Sequence, residues 1–540
     1  MKIDFEKIFL VVLFSLLLWA GYANLSGQRL AHDFPVGYLA ADAVQDWGWA
    51  ENIKDSGNYA YFPEYASAGF SKVIAWYAPV LMHGSVLMSY ASGLEVYDML
   101  IFLVYFFAAL SALAMYFLIK RLDRNTAILS APLMLFIFFR TFYYAFLLGQ
   151  WAYVSGALFL VASFWAISRL ELDKSYILLA IFIMGNIFTH PSELVFIILI
   201  TGIYILINLI SKNFKLDELK SAIIAFAISA ALSSYFFLVL KLSAAGEFSG
   251  VGGALINFKP IEPHYGYPPV YINEFGLVLI PIAAGLLLSF LYIRKKNSAA
   301  LAAGLLMLAV GFFNYLGGSI GDRAFQNRFF WPVYFSVFFG LAVYLGLKLV
   351  IKEWKITYSV AVSVMLMIAF MFIFYTKVEN ASLVDSQHWQ AYKWIEKNTP
   401  KESEILFLYG DPYSQTSNLW FTKRLSKLID YQDYAATAVN GTIKRHYTAR
   451  HVSGYLFYRK GLFSSGNYVE EKGLSYFKNE TDICDFDYYV FDKLTAQQPG
   501  LVQYNLAVRD NMIKNGMEEA FSNQLVSVVK NKNRGVNCIG

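Results

Sequence analysis

Asp42 and Asp46 lie four residues apart in the stretch HDFPVGYLAADAVQDWGWAENIKDSGNYAYFPEY. A helix over 38–55 would carry both carboxylates on one face, with Glu51 or Asn52 close to it. Two carboxylates so placed raise each other's pKa and can share a proton. They suit a general base, or a ligand set for a hard divalent cation such as Mg or Mn. A solvated acidic loop has the same spacing, so the pair is a candidate catalytic site and no more. Candidate cations are few: Arg140, Lys241 and Lys259, then Arg323 and Arg328 in GGSIGDRAFQNRFFWP. A guanidinium can grip a phosphate through two parallel hydrogen bonds, or simply anchor a helix at a membrane surface. Arg328, Arg323 and Arg140 are the candidate phosphate ligands. Gln150 in LLGQWAY, His190 and Glu193 in FTHPSELV, and Glu262 and His264 in KPIEPHYGYPP complete a candidate substrate-binding set.

The elements that must position these groups are mostly membrane helices. Residues are 57% hydrophobic and 15% charged, too apolar and too sparsely charged for the surface of a soluble protein this long. Apolar runs fill residues 8 to 375, and from about Lys377 the chain reads as a globular domain. The division expected is 1–375 in the membrane and 376–540 in water. Net charge is +5, which gives no footing for nucleic acid as a partner. Aromatics reach 18%, fitting bilayer interfaces and an aromatic-lined cavity.

A span needs roughly 17–25 apolar residues. Segments 8–23, 97–119, 126–145, 151–168, 175–190, 193–210, 221–240, 275–293, 298–316, 329–350 and 356–375 meet this, about eleven spans in all. The stretch 71–93 carries Lys72, Pro79 and His83 and reads as re-entrant or interfacial, with a further span as the alternative. With the N-terminus inside, the short connections MKIDFEK, KRLDRN, SRLELDK, SKNFKLDELK, RKKN and LKLVIKEWK fall on the cytoplasmic side of the plasma membrane. They are denser in Lys and Arg than the longer opposite loops, as the positive-inside rule requires. Asn24, Asn380, Asn440 and Asn479 begin glycosylation sequons, and all fall outside.

The outer side then holds the acidic loop 24–94, a Gly- and Pro-rich loop 243–273 and a small α/β domain. In that domain SQHWQAYKWIEKN reads as an amphipathic helix ended by Asn398–Pro400. EILFLYG, DFDYYVFDK and QLVSVVK read as strands, and 502–515 as a helix. Cys484 and Cys538 are the only cysteines, and an outer domain permits their disulfide without requiring it.

Four features carry a resemblance. One span is followed by a long acidic outer loop containing Asp42. SGNYAYFPEY…WYAPV precedes the second span, LLGQWAYVSG opens the fourth, and AYKWIEKNTPKESEIL opens the outer domain. In these the chain resembles the GT-C superfamily of membrane glycosyltransferases, over essentially its whole length. That group takes sugars from polyprenyl-phosphate or -pyrophosphate carriers and includes protein mannosyltransferases and the oligosaccharyltransferase catalytic subunit. The resemblance implies an inverting transfer of a sugar from such a donor to a glycan, lipid or protein acceptor outside the membrane. It makes Asp42 the counterpart of the superfamily's catalytic base or metal ligand. Asp46 stands where the oligosaccharyltransferase subunit has a His. LFLYGD replaces that subunit's WWDYG, which argues against sequon glycosylation, and 140–150 lacks a second acidic pair for a metal. Two readings of other classes compete: a lipid or solute transporter, and a non-catalytic assembly protein on the same scaffold. A transporter should carry charge at mid-span and repeat symmetry, and most spans here keep ionisable groups at their ends.

Overall fold

The computed structural model describes residues 5–25, 29–69, 79–170, 174–243, 268–293, 298–312, 326–348, 354–375, 384–409, 419–451, 478–493 and 499–539. Arg323, Lys259, Glu262, His264 and Asn380 lie outside these residues, as does 244–267 of the Gly- and Pro-rich loop. The chain divides into two compact units. One comprises Met1–Ala31, Ala78–Leu238 and Gly252–Ala381; the other His32–Tyr77, Val239–Val251 and Ser382–Gly540. Residues 32–77 of the acidic first loop thus belong to the same unit as the C-terminal sheet.

The first unit is helical. Phe5–Ala23, Val96–Lys120 and Pro191–Ile210 are long and apolar enough to cross a membrane. Trp151–Ile167, Ser175–Ile187, Gly276–Tyr292, Ala299–Phe312, Trp331–Leu347 and Thr357–Met371 are shorter apolar helices. Many outward residues are large and apolar, among them Leu277, Ile280, Leu287, Leu291 and Phe370. Water would penalise such a surface and hydrocarbon would not. Buried hydroxyls bond within the bundle: Tyr105 and Tyr143 share a bond of 2.7 Å, and Tyr143 donates to the Gly21 carbonyl at 2.9 Å.

At one end of this unit Arg124 reaches Glu6 at 3.3 Å and donates to the Tyr358 hydroxyl at 3.0 Å. Lys120 also pairs with Glu6, and Arg121 donates to the Ser168 carbonyl at 3.3 Å. Four of the basic segments expected on one side of the membrane, or the spans that adjoin them, therefore meet.

Two expected elements differ in shape. The span 126–145 is not straight: Arg124–Phe138 and Arg140–Leu147 meet at 61°. Phe139 is extended there and Arg140 takes a left-handed φ of 40°, so the backbone breaks inside the segment expected to be one span. The span 221–240 likewise divides into Leu216–Leu232 and Ser234–Ser243 at Ser233. In 71–93 the described part is the 13-residue helix Val80–Ser92. At about 20 Å it falls short of a bilayer core.

The second unit carries a seven-stranded sheet: β1 (Glu404–Tyr409), β2 (Leu425–Ile429), β3 (His446–His451), β4 (Lys478–Asp482), β5 (Tyr488–Asp492), β6 (Glu518–Ser522) and β7 (Val526–Lys530). Their order is β4-β3-β2-β1-β5-β7-β6. β1 is parallel to β2 and β5, and the other pairs are antiparallel. The expected strands appear as β1, β5 and β7, at the centre and its antiparallel flank. Ser386–Asn398 is the expected amphipathic helix, and Asp385 caps it by accepting from the Gln387 and His388 N–H groups.

Tyrosines fill the core with their hydroxyls satisfied. Tyr434 donates to Asn505 at 2.9 Å, and Tyr447 and Tyr504 share a bond of 3.0 Å. Cys484 and Cys538 form a disulfide that ties the chain's end to the turn before β5. Closing a loop of 54 residues is worth about 4 kcal/mol in the chain-entropy account. Reduction is therefore expected to lower the melting temperature of this unit. An identical melt with and without reductant, once labelling had shown both thiols free, would refute that.

Candidate functional site

The acidic helix is Ala41–Ser56. Ala40 enters it extended, and Gly57 ends it in the left-handed conformation with its N–H on the Ile53 carbonyl. Its indoles face inward: Trp47 packs against Phe421 with ring centroids 4.7 Å apart and against Trp389 at 6.0 Å. Between them Gly48 lets the helix backbone approach Trp420, whose ring lies 2.3 Å from where a Cβ would stand. Farther along, Lys423 reaches Asp55 at 2.5 Å, Glu396 at 2.9 Å and Glu51 at 3.9 Å. Aromatic packing and this ion network fix the helix to the sheet unit.

That docking separates the two carboxylates. Asp42, in the first turn, is exposed, where the unpaired N–H groups of a helix start favour a negative side chain. Asp46, one turn on, is 3% exposed, and its Oδ2 has no hydrogen-bond partner among the described residues. Burial, then the nearby Asp42 charge, push the Asp46 carboxyl well above the ordinary carboxylate range. The face expected from spacing is there, with one acid in solvent and one beneath it.

In the helical unit other candidates meet around the Trp151–Ile167 helix. Gln326 donates to Gln150 at 2.6 Å, and Tyr153 donates to Asn327 at 3.1 Å. His190 pairs through Nδ1 with Glu193, and its ring stands 6.1 Å from that of Tyr153. The lone-looking histidine of FTHPSELV thus has Glu193 as a hydrogen-bond partner.

The arginines are placed differently from one another. Arg328 is fully buried, donates from Nε and Nη2 to the Gly311 carbonyl at 3.0 and 2.8 Å, and lies over the Tyr271 ring. Arg140 is exposed at the kink, stacked over Phe139. Next to it Thr141 donates to Glu274 at 2.7 Å, a pairing that sequence reasoning did not single out.

A second group absent from the sequence expectations is His388. Its Nδ1 bonds Asp385 at 2.7 Å and its Nε2 bonds Asp492 at 2.6 Å, joining the Ser386–Asn398 helix to the end of β5. Burial opposes its charge, but the two carboxylates outweigh it and push the pKa from 6.5 to about 10. A raised folded pKa adds stability in full below the unfolded value and loses it as pH rises toward the folded one. His388→Gln is therefore expected to destabilise the unit near pH 6 and to matter progressively less between about 6.5 and 10. A pH-independent difference in melting temperature would contradict this.

Among the described residues no three His, Cys, Asp or Glu side chains gather as a metal ligand set.

Comparison with solved structures gives likeness over 90% or more of this chain. ArnT from Cupriavidus metallidurans bound to undecaprenyl phosphate matches with a TM-score of 0.59 at 10% identity, covering 99% of this chain and 98% of that one. The oligosaccharyltransferase AglB of Archaeoglobus fulgidus, in complex with an inhibitory peptide and a dolichol-phosphate, matches with a TM-score of 0.51 at 13% identity, covering 90% and 70%. The Archaeoglobus fulgidus oligosaccharyltransferase in complex with Zn and sulfate matches with a TM-score of 0.52 at 14% identity, covering 90% and 68%. No family model and no curated protein sequence matches the chain. At these identities the likeness is one of fold, and that fold is GT-C-like.

Proposed function

We propose that this GT-C-fold chain is a membrane glycosyltransferase that moves a sugar from a polyprenyl-phosphate-linked donor to an acceptor hydroxyl on the outer face of the plasma membrane, with inversion. The observation that carries this is likeness over nearly the whole chain to a structure holding undecaprenyl phosphate. The acidic pair on Ala41–Ser56 supplies the chemistry. Asp42 takes the proton of the acceptor hydroxyl as its oxygen attacks the anomeric carbon. The bond from that carbon to the phosphate oxygen breaks, and polyprenyl phosphate leaves. Asp46, held toward its neutral form by burial, acts as a hydrogen-bond donor beside the base.

Arg323, Arg328 and Arg140 are the groups for the leaving phosphate. With two nitrogens on the Gly311 carbonyl, Arg328 contributes its charge and fixes the end of the Ala299–Phe312 helix more than it offers a bidentate grip. Gln150, His190, Glu193, Glu262 and His264 would contact substrate. We read eleven spans with the N-terminus inside, a catalytic part over 1–375 and an outer domain over 376–540 that helps to orient the acceptor, be it glycan, lipid or protein.

The test is transfer of labelled sugar from polyprenyl phosphate by purified protein, offered a panel of acceptors in EDTA and after restoring Mg²⁺ or Mn²⁺. No transfer to any acceptor, with the donor lipid unbound, would overturn the reading. Loss of transfer in EDTA alone would bring a metal into it.

A further inference from the structure

Around the Trp151–Ile167 helix the helical unit buries polar side chains that its own packing leaves incompletely bonded. Glu193 is fully buried, and while one carboxylate oxygen pairs with His190, Oε1 has no hydrogen-bond partner among the described residues. Asn327 is fully buried too: its Oδ1 accepts from Tyr153 and its Nδ2 donates to nothing described. Asn186, also fully buried, donates to the Gly156 carbonyl at 3.4 Å and leaves Oδ1 unmet.

These groups form one cluster. Tyr153 joins Asn327 to the His190 ring, and Gly156, one turn on, brings the helix against the hydrogen-bonded His190 and Glu193. A Cβ at Gly156 would stand 2.9 Å from the His190 Cβ and 3.6 Å from Glu193 Oε2. The half-buried Gln150–Gln326 bond lies one turn before Tyr153. A buried polar atom left unmet costs about 1–3 kcal/mol, and native folds keep such atoms rare. Three in one cluster call for a polar occupant.

The chemistry of the cluster restricts what that occupant is. Two of the three unmet atoms, Glu193 Oε1 and Asn186 Oδ1, are acceptors, which suit a group that donates hydrogen bonds and not the oxygens of a phosphate. What is offered is a carboxylate oxygen, an amide oxygen, an amide N–H pair and the Tyr153 and Phe330 rings, which meet edge to face. Adjacent hydroxyls on a small ring match that set, each giving one hydrogen bond and accepting another. We infer that this cluster is a subsite for an uncharged monosaccharide ring, with Glu193 and Asn327 binding neighbouring hydroxyls and Gln150 and Gln326 at its margin. The inference rests on the proposed transferase reading, and the ring belongs either to the donor or to a sugar acceptor.

Binding to the intact protein in nanodiscs separates the cases. Three probes are titrated: undecaprenyl phosphate, undecaprenyl phosphate bearing glucose, mannose or N-acetylglucosamine, and the methyl glycosides of the same sugars. A donor ring in the subsite makes one sugar-bearing lipid bind at least tenfold tighter than the bare lipid. Glu193→Gln and Asn327→Ala then remove that difference and leave the affinity for bare lipid unchanged. Gln326→Ala, at a half-buried position, reports the same loss should the buried variants fail to fold. An acceptor ring gives instead a methyl glycoside affinity abolished by Glu193→Gln. Equal binding of bare and sugar-bearing lipids with no methyl glycoside bound, or a sugar preference intact in all three variants, would overturn the subsite. Failure of every lipid to bind would overturn the polyprenyl reading itself, a result distinct from equal binding.

Discussion

Asp42→Asn is expected to lower sugar transfer by about 10²–10⁴-fold with the fold and donor binding intact, the range that general-base catalysis contributes. The residue is exposed in the first turn of its helix, so an isosteric amide disturbs no packing. The amide has no basic carboxylate oxygen to take the proton of the acceptor hydroxyl. Undiminished transfer by the variant would remove Asp42 from the mechanism.

Asp46→Asn separates role from stability at the neighbouring position. Burial raises the folded pKa of Asp46, so its contribution to stability is fully present only below the unfolded value near 3.8 and is lost as pH rises. A neutral amide escapes that loss. Asp46→Asn is therefore expected to melt higher than the parent by a margin that grows from pH 4 to pH 8, while transfer falls. A margin that shrinks with pH would mean the buried carboxyl is stabilised as an anion.

Gly48→Leu is expected to have the largest structural effect. Even a Cβ at this position would meet the Trp420 ring at 2.3 Å, and Trp47 is already packed against Phe421 and Trp389 on the same helix. Overpacking a tight contact typically costs about 1–3 kcal/mol. Here relief requires the helix to lift, which would also stretch the Lys423 contacts to Asp55 and Glu51. The expected result is rapid protease cleavage within 57–69, a lower melting temperature of the sheet unit and transfer reduced in step. Gly48→Ala should show the same pattern more weakly. Parental protease resistance in Gly48→Leu would show that the helix is not seated as described.

Strongly periodic or uniformly apolar segments were legible from sequence, because long apolar runs and an amphipathic helix ended by Asn-Thr-Pro have few other ways to fold. The central strand β1 and its flank β5 and β7 are rich in aromatic and branched residues and were legible for the same reason. β3 (HYTARH), β4 (KNETD) and β6 (EEAFS) were not, since their residues favour strands only when a neighbour supplies the ladder. The kink at Arg140 was hidden by an unbroken apolar run, and no local signal marks a backbone that turns because its neighbours require it.

The sequence by itself determined a chain rich in membrane helices, a globular C-terminal part, and an acidic pair spaced for one helical face. Tertiary structure decided that residues 32–77 of the acidic loop form one compact unit with the sheet. It decided that Asp46 is buried where Asp42 is not, that His190 is bound to Glu193, and that Cys484 meets Cys538. The physical reason is that spacing fixes which way a side chain leaves its own helix. Depth, partner and charge state depend on what lies across from it, here Trp420, Phe421 and Lys423 from nearly four hundred residues away along the chain.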